Sequence, residues 1–335
     1  MARPSIGIIV RGDNSGLGTL SLEFYENLKP YIHKVIMVDN GVYKTFPDRF
    51  PSAKVVTRNI DKETEDWFFE GISTLLTFEV PYSDTIIHNA KKRGIKTVLM
   101  PMYECTPSFS AIGMPDVILC PSKLDFDFYK KYKDRARVVY IPVPINRKKL
   151  KFEHRRKART FIHNAGHGGL VGRNGTSELL AAIPMIQSDI KVIINTQREI
   201  NYSHPKVDIR VGNFLNYQDL WKSGDVFVFP HKFDGLSLPI QEALSVGMPV
   251  LSTAIYPFIE MMPHDWFFNA EQIIKTRVAG SVIDQIDYAI VKPEAIAQKI
   301  DEFATRDITK DSLEADRIAR SLDWEVLKTK YLNIL

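Results

Sequence analysis

Two acids eight residues apart, Asp234 and Glu242, stand on either side of a change from loop to helix. Eight residues span about two helical turns, so both carboxylates can face one ligand along the first half of that helix. Between them, Gly235, Leu236 and Ser237 put backbone N–H groups at a helix N-terminus, where an anion is favoured. An acid, an anion-binding helix end and a second acid suit a nucleotide-sugar: sugar hydroxyls at one end, diphosphate in the middle, ribose at the other.

The elements that must position these groups are legible around them. Residues 226–229 form a short apolar run, bounded by Asp225 and Pro230, that reads as a buried strand of a parallel sheet. Residues 231–237 are the loop and 238–246 the helix, which Gly247 stops; the next strand covers 249–252. A second glycine loop, 166–175, follows a strand over 160–163 and opens a helix over 176–183 that Thr176 or Ser177 can cap. The first such loop, 11–18, lies between a strand over 5–10 and a helix over 19–28. Strand, glycine loop, helix is the order that places a phosphate or sugar at a helix N-terminus.

Further strands are expected over 34–38, 53–56, 74–77, 97–100, 116–119 and 138–141, and in the second half over 191–195 and 209–214. By the rule for open α/β sheets, segments 78–84 and 101–106 open into a cleft, which makes Glu79, Tyr82, Tyr103 and Glu104 polar candidates. Glu79 and Glu104 either orient an acceptor and assist its deprotonation or cap loop N–H groups. Asp39 reads as a loop cap, His88 as a helix-surface or core histidine, and the Asp125–Asp127 pair as a solvated helix face. Residues 217–223 and 292–303 read as helices, the latter on the surface.

Composition sets bounds on the class. The chain has 335 residues, 44% hydrophobic and 25% charged, enough for two domains of ordinary size. No run of some 18 apolar residues is present, and the first residues run into a strand without a signal-peptide pattern. Two cysteines, Cys105 and Cys120, give no disulfide framework and no metal spacing, so a cytoplasmic setting is the expectation. Net charge is +4, and eight lysines and arginines crowd into residues 147–159, shortly after five more between Lys130 and Arg137.

The stretch D-G-L-S-L-P-I-Q-E-A, residues 234–243, resembles the E-G-F-G-L-P-x-x-E-A donor motif of retaining GT-B glycosyltransferases of family four, with Asp234 in place of the first glutamate. The 11–28 run and the loop G-H-G-G-L-V-G-R-N-G also resemble bacteriophage-encoded glycosyltransferases. The resemblance implies an α/β protein of GT-B architecture, two Rossmann-like doubly wound parallel-sheet domains facing a central cleft. It implies domains over 1–146 and 160–320, a basic linker over 147–159, and a terminal helix over 321–335 returning to the first domain. It further implies transfer of a sugar from a UDP- or GDP-sugar to an acceptor hydroxyl, without metal or other cofactor.

Site residues follow residue by residue. Asp234 would hold sugar hydroxyls, Glu242 the ribose, and Arg173 the diphosphate, together with N–H groups of Gly16, Leu17, Gly18, Gly235, Leu236 and Ser237. Gly168, Gly169 and Asn174 belong to the second loop, and the backbone at Val211 and Gly212 marks the nucleobase position. His231 and Lys232 either touch phosphate or face water. The family's usual histidine near the reacting sugar has no counterpart in segments 78–84 and 101–106.

Phage DNA bases, a virion protein, a glycan or a lipid are the acceptors considered; a non-catalytic binding protein and a GT-B epimerase are the alternative functions. The basic residues between 130 and 159 would meet a DNA backbone. Titrating duplex DNA over a salt series tests that partner: the expectation is a steep loss of affinity with rising salt, and no binding at low salt would end it.

Overall fold

The computed structural model describes residues 4–102, 104–170, 172–214, 217–277 and 285–335. It divides into two compact units: unit 1 is the chain through Pro144 together with Leu327–Leu335, and unit 2 is Ile145–Arg277 with Gln285–Val326.

Unit 1 is built on runs too apolar to face water on either side. Its strands are β1 (Ile6–Arg11), β2 (Ile32–Asp39), β3 (Lys54–Thr57), β4 (Thr74–Phe78), β5 (Lys96–Met100), β6 (Val117–Cys120) and β7 (Arg137–Tyr140). They make a seven-stranded sheet in the order β3-β2-β1-β4-β5-β6-β7, every pair parallel. Every residue of β1 and β4 is buried, as a parallel sheet covered on both faces requires. Helices α1 (Gly16–Leu28), α2 (Lys62–Phe69), α3 (Ile86–Lys92), α4 (Phe109–Ile112) and α5 (Lys123–Tyr129) lie between the strands in sequence. α1 starts three residues before the expected boundary at Thr19, because Ser15 caps it by accepting from the Gly18 N–H. In α5, Asp125 is buried rather than solvated: its N–H donates to Ser122 Oγ at 3.0 Å and the hydroxyl returns to its carboxylate. His88 lies exposed on α3, and Asp39 accepts from the Gly41 N–H as a loop cap.

Unit 2 repeats the design. β8 (Thr160–Gly166), β9 (Lys191–Thr196), β10 (Val207–Val211), β11 (Val226–Phe229), β12 (Val250–Thr253) and β13 (Phe267–Phe268) form a parallel sheet in the order β10-β9-β8-β11-β12-β13. α6 (Thr176–Ala182) and α7 (Leu238–Ser245) follow β8 and β11. Beyond the sheet come an antiparallel hairpin, β14 (Gln272–Thr276) with β15 (Ile286–Ile290), then α8 (Pro293–Thr305) and α9 (Thr309–Ser321). α8 is half core rather than a surface helix: Ile296, Ile300 and Phe303 recur on one buried face. Residues 217–223 hold only one tight turn, Tyr217–Leu220, too short for the expected helix.

The last helix, α10 (Trp324–Leu332), runs from unit 2 into unit 1. There Tyr331 packs edge-on to Phe24 at 5.1 Å and donates its hydroxyl to the carbonyls of Ile141 and Pro142. Thr74 donates to the Leu335 carbonyl at 2.7 Å. Among the described residues, no helix is long and apolar enough to cross a membrane.

Part of the basic run is engaged inside unit 2, while Lys151, Arg156, Lys157 and Arg159 are exposed. Arg147 pairs with Asp316 and Lys148 with Glu325, while buried Arg155 donates to the carbonyls of Gly224, Val246 and Glu153. Lys130, Lys131, Lys133, Arg135 and Arg137 stay exposed on unit 1.

Beside the site loops a glycine is fixed by space as well as by dihedral. Gly175, at φ +72°, caps α6, and a Cβ there would strike the Pro230 carbonyl. Gly41 shares the left-handed conformation, at φ +70°, but has open space around it. Gly41→Ala should therefore cost about 1 kcal/mol in urea unfolding, and Gly175→Ala clearly more, because backbone must move. Equal losses would show that the Pro230 contact is unimportant.

Candidate functional site

In both sheets the strand order reverses at one place, and there the loops leave the strand ends in opposite directions and open a crevice. In unit 2 that place lies between β8 and β11. The strand ends there are Asn164–Gly166 and Phe229–His231, which brings the second glycine loop beside the loop carrying Asp234.

Hydrogen bonds tie the two loops together. Asn174 Nδ2 donates to the Ala165 carbonyl at 2.6 Å, folding its loop back over β8. The Lys232 N–H donates to the Arg173 carbonyl at 2.8 Å, and the Ala289 N–H to the Lys232 carbonyl at 2.7 Å. Lys232 Nζ is held by Glu178 at 2.6 Å, so it serves the scaffold instead of facing water. Gly166 and Gly169 take the left-handed conformation, φ +53° and +55°, within the same turn-rich loop that holds Gly168.

At the centre, Asp234 is 4% exposed. Its Oδ1 lies 3.3 Å from Arg173 Nη1, its Oδ2 lies 3.2 Å from His231 Nδ1, and the Leu236 N–H points at Oδ1 from 3.4 Å. Arg173 also sits over the Phe233 ring. His231 is 1% exposed, stacks on Phe229 at 4.4 Å, and neither ring nitrogen makes a hydrogen bond. Burial first, then the charges of Arg173 and His163, hold its imidazole well below the usual histidine range. α7 starts at Leu238 without a side-chain cap, leaving its first N–H groups to a ligand or water. Ser237 Oγ and Gln241 Oε1 beside it are buried without a hydrogen-bond partner, and Glu242 is buried one residue on. An arginine, an uncapped helix end and buried acids make a site able to hold an anion flanked by hydroxyl-bearing rings.

Thr176 does not cap α6 as expected. Its hydroxyl turns inward to His163 Nε2 at 2.9 Å, while His163 Nδ1 meets the Val228 carbonyl at 2.9 Å. A carbonyl only accepts, so Nδ1 carries the proton and Nε2 accepts from Thr176. His163 and Gln241 had no signal in the sequence, and Thr176 and Ser237 were legible only as a helix cap and a backbone N–H.

The remaining candidates lie elsewhere. Val211 ends β10, 54% exposed, and Gly212 donates its N–H to the Thr196 carbonyl. Gly16, Leu17 and Gly18 form the first turn of α1 in unit 1; the Gly18 N–H is engaged by Ser15, and a side chain at Gly18 would strike the Asp13 backbone. Gly18 is therefore a packing glycine whose N–H is already taken up by Ser15. Glu79 follows β4 at φ +52° and donates its N–H to the Met100 carbonyl. Near it, Arg11 pairs with fully buried Asp13 and donates to Tyr82 Oη at 3.2 Å, and Arg49 donates to the Asp13 carbonyl at 2.7 Å. The R-G-D sequence directly after β1 was the available signal for this cluster. Glu104 is buried near Tyr129, a separate environment from that of Glu79. Tyr103 lies outside the described residues.

The fold has known counterparts. The chain is similar to sucrose-phosphate synthase from Thermosynechococcus elongatus, with TM-score 0.67 and 14% identity over 99% of this chain and 98% of that one. It is similar to HepE from Anabaena in complex with UDP and glucose, with TM-score 0.70 and 10% identity over 99% of each chain. A glycosyltransferase from Rickettsia africae gives TM-score 0.67 and 14% identity over 100% and 98%. A comparison with curated proteins finds no match. The two sheets thus define the GT-B glycosyltransferase fold. Within it, a family model described as glycosyl transferases group 1 matches residues 166–305, the part of unit 2 that carries both loops of the site.

His163 gives a pH dependence. Burial brings its imidazole from 6.5 to about 4, with the Val228 hydrogen bond opposing. Neutral His163 therefore contributes stability that is full above pH 6.5 and is lost as pH falls towards 4, on the order of 3 kcal/mol in all. Urea unfolding across that window should show the loss, shallower in His163→Asn; identical slopes would refute it.

Proposed function

We propose that this chain is a glycosyltransferase that takes its sugar from a nucleoside diphosphate donor seated in unit 2, without a metal and with retention at the anomeric carbon. One observation carries the reading: Arg173, Asp234 and the uncapped start of α7 are assembled where the strand order reverses. The group 1 match over residues 166–305 and the UDP and UDP-glucose complexes of HepE support it.

Each residue has a step. The bond to the leaving diphosphate breaks only if negative charge growing on oxygen is stabilised. Arg173 does this with a planar, permanently charged fork, and the N–H groups of Gly235, Leu236 and Ser237 add fixed dipoles at the helix end. Asp234 accepts from sugar hydroxyls; having one methylene fewer than glutamate, it sets the sugar closer to the loop. Glu242, two turns into the site's helix, accepts from the ribose. UDP is the favoured nucleotide because HepE, one of the similar proteins, holds it. In unit 1, Glu79 beside Arg11, Asp13 and Tyr82 is the group that orients the acceptor hydroxyl.

The test is donor turnover with a panel of UDP- and GDP-sugars. Arg173→Ala and Glu242→Ala should each lose roughly 100-fold or more in turnover, the cost of removing one preorganised charge-stabilising or orienting group. Unchanged turnover in both variants would remove the assignment. Binding of the donor with no turnover in wild type would favour a binding protein, and cleavage that no acceptor accelerates would favour an epimerase.

A further inference from the structure

Two side chains that can carry positive charge face Asp234 among the described residues, and they differ in kind. The Arg173 side chain is 38% exposed and always charged; His231 is buried, neutral in the ligand-free protein, and without hydrogen bonds at either nitrogen. Buried polar groups with no partner are rare in folded proteins and mark places where something changes. The ring is clamped by Phe229 at 4.4 Å, with Phe233 and Phe258 beyond it, so it cannot swing to find water. The charged or titratable groups facing it are Asp234 from its own loop, Arg173 from the loop after β8, and His163 from β8. Lys232, next to it in sequence, is held by Glu178.

We propose that donor binding passes Asp234 from Arg173 to His231, with one proton taken from solvent by the imidazole. This rests on the donor site described above. A diphosphate offers the guanidinium two charged oxygens at its open side, a stronger partner than one oblique carboxylate oxygen. Arg173 turning to the phosphates takes a cation away from a buried carboxylate, which is costly. His231, with Nδ1 3.2 Å from Asp234 Oδ2, can become a cation. Proton uptake gives it a second N–H and a charge-assisted bond to Asp234, which holds the carboxylate in place for the sugar. Burial and the nearby arginine are what keep the ring neutral beforehand, and engagement of Arg173 by phosphate removes the second of these. No covalent bond changes. His231 is a positioning residue acting through Asp234.

The complex then holds more protons than the free protein, so donor affinity rises as pH falls, by up to about tenfold per pH unit. Calorimetric titration of the full chain with UDP-glucose and with GDP-mannose, each in two buffers of different ionisation enthalpy, counts the protons; these diphosphate diesters do not titrate near neutrality. The expected result is net uptake approaching one proton and tighter binding at about pH 6 than at about pH 8. His231→Gln, checked for folding by thermal melting, should still bind but with no uptake and a flat pH profile. Wild-type binding without proton uptake would overturn the handover while leaving the donor site standing. Binding of neither nucleotide would overturn the donor site and the handover together.

Discussion

A single imidazole fixes the geometry on which unit 2 depends. His163 lies in the middle of β8, wholly buried, and reaches both the backbone of β11 and the first residue of α6. Those are the two strands between which the sheet order reverses, and the helix that closes the second glycine loop. With one nitrogen donating and the other accepting, the ring has no spare capacity and one tautomer. The loop that ends at Gly175 is thereby held against Pro230, and Arg173 is delivered to Asp234 from a neighbouring strand end. A charged imidazole in that position would have to leave, and the loop register would leave with it.

Both units put an arginine beside an aspartate where their sheets reverse, and the two pairs have opposite character. In unit 1, Arg11 and Asp13 stand two residues apart on one loop, side chains 8% and 0% exposed, and Arg49 seals them from the flank. That pair is architecture: it holds the turn between β1 and α1. In unit 2 the pair joins different loops, and Arg173 is over a third exposed. An exposed arginine on a buried carboxylate is the arrangement an incoming anion can undo, since solvent screening leaves little to lose on the arginine side. The same topology carries a closed pair in one copy and an open pair in the other.

What could be read in the sequence was what depends on local pattern. Strands such as β1, β4 and β11 announce themselves because both faces are buried and, Arg11 at the end of β1 apart, every residue is apolar or small. The helix after Ser237 was visible through Pro239 and Gly247, which punctuate its two ends. β13 is only two phenylalanines long, and β14–β15 depends on pairing across the chain, so neither leaves a periodic trace. α9 was missed because its buried face is mostly small or polar, Ser312, Ala315, Asp316 and Ala319, with Ile318 its one large apolar member. Asp234 and Arg173 were found by motif and glycine context, but their ion pair and the role of His231 are tertiary facts. Thr176 shows the limit well: its position is that of a cap, yet a buried ring twelve residues upstream and one more offers its hydroxyl a better partner.

The terminal helix has a consequence for biosynthesis. Phe24, Thr74 and the Ile141 and Pro142 carbonyls of unit 1 meet Tyr331 and Leu335, which are translated after all of unit 2. The N-terminal domain thus emerges from the ribosome first yet is finished last. Until then an apolar groove beside Phe24 waits for Tyr331, and a nascent chain stalled after unit 2 would present that groove to chaperones.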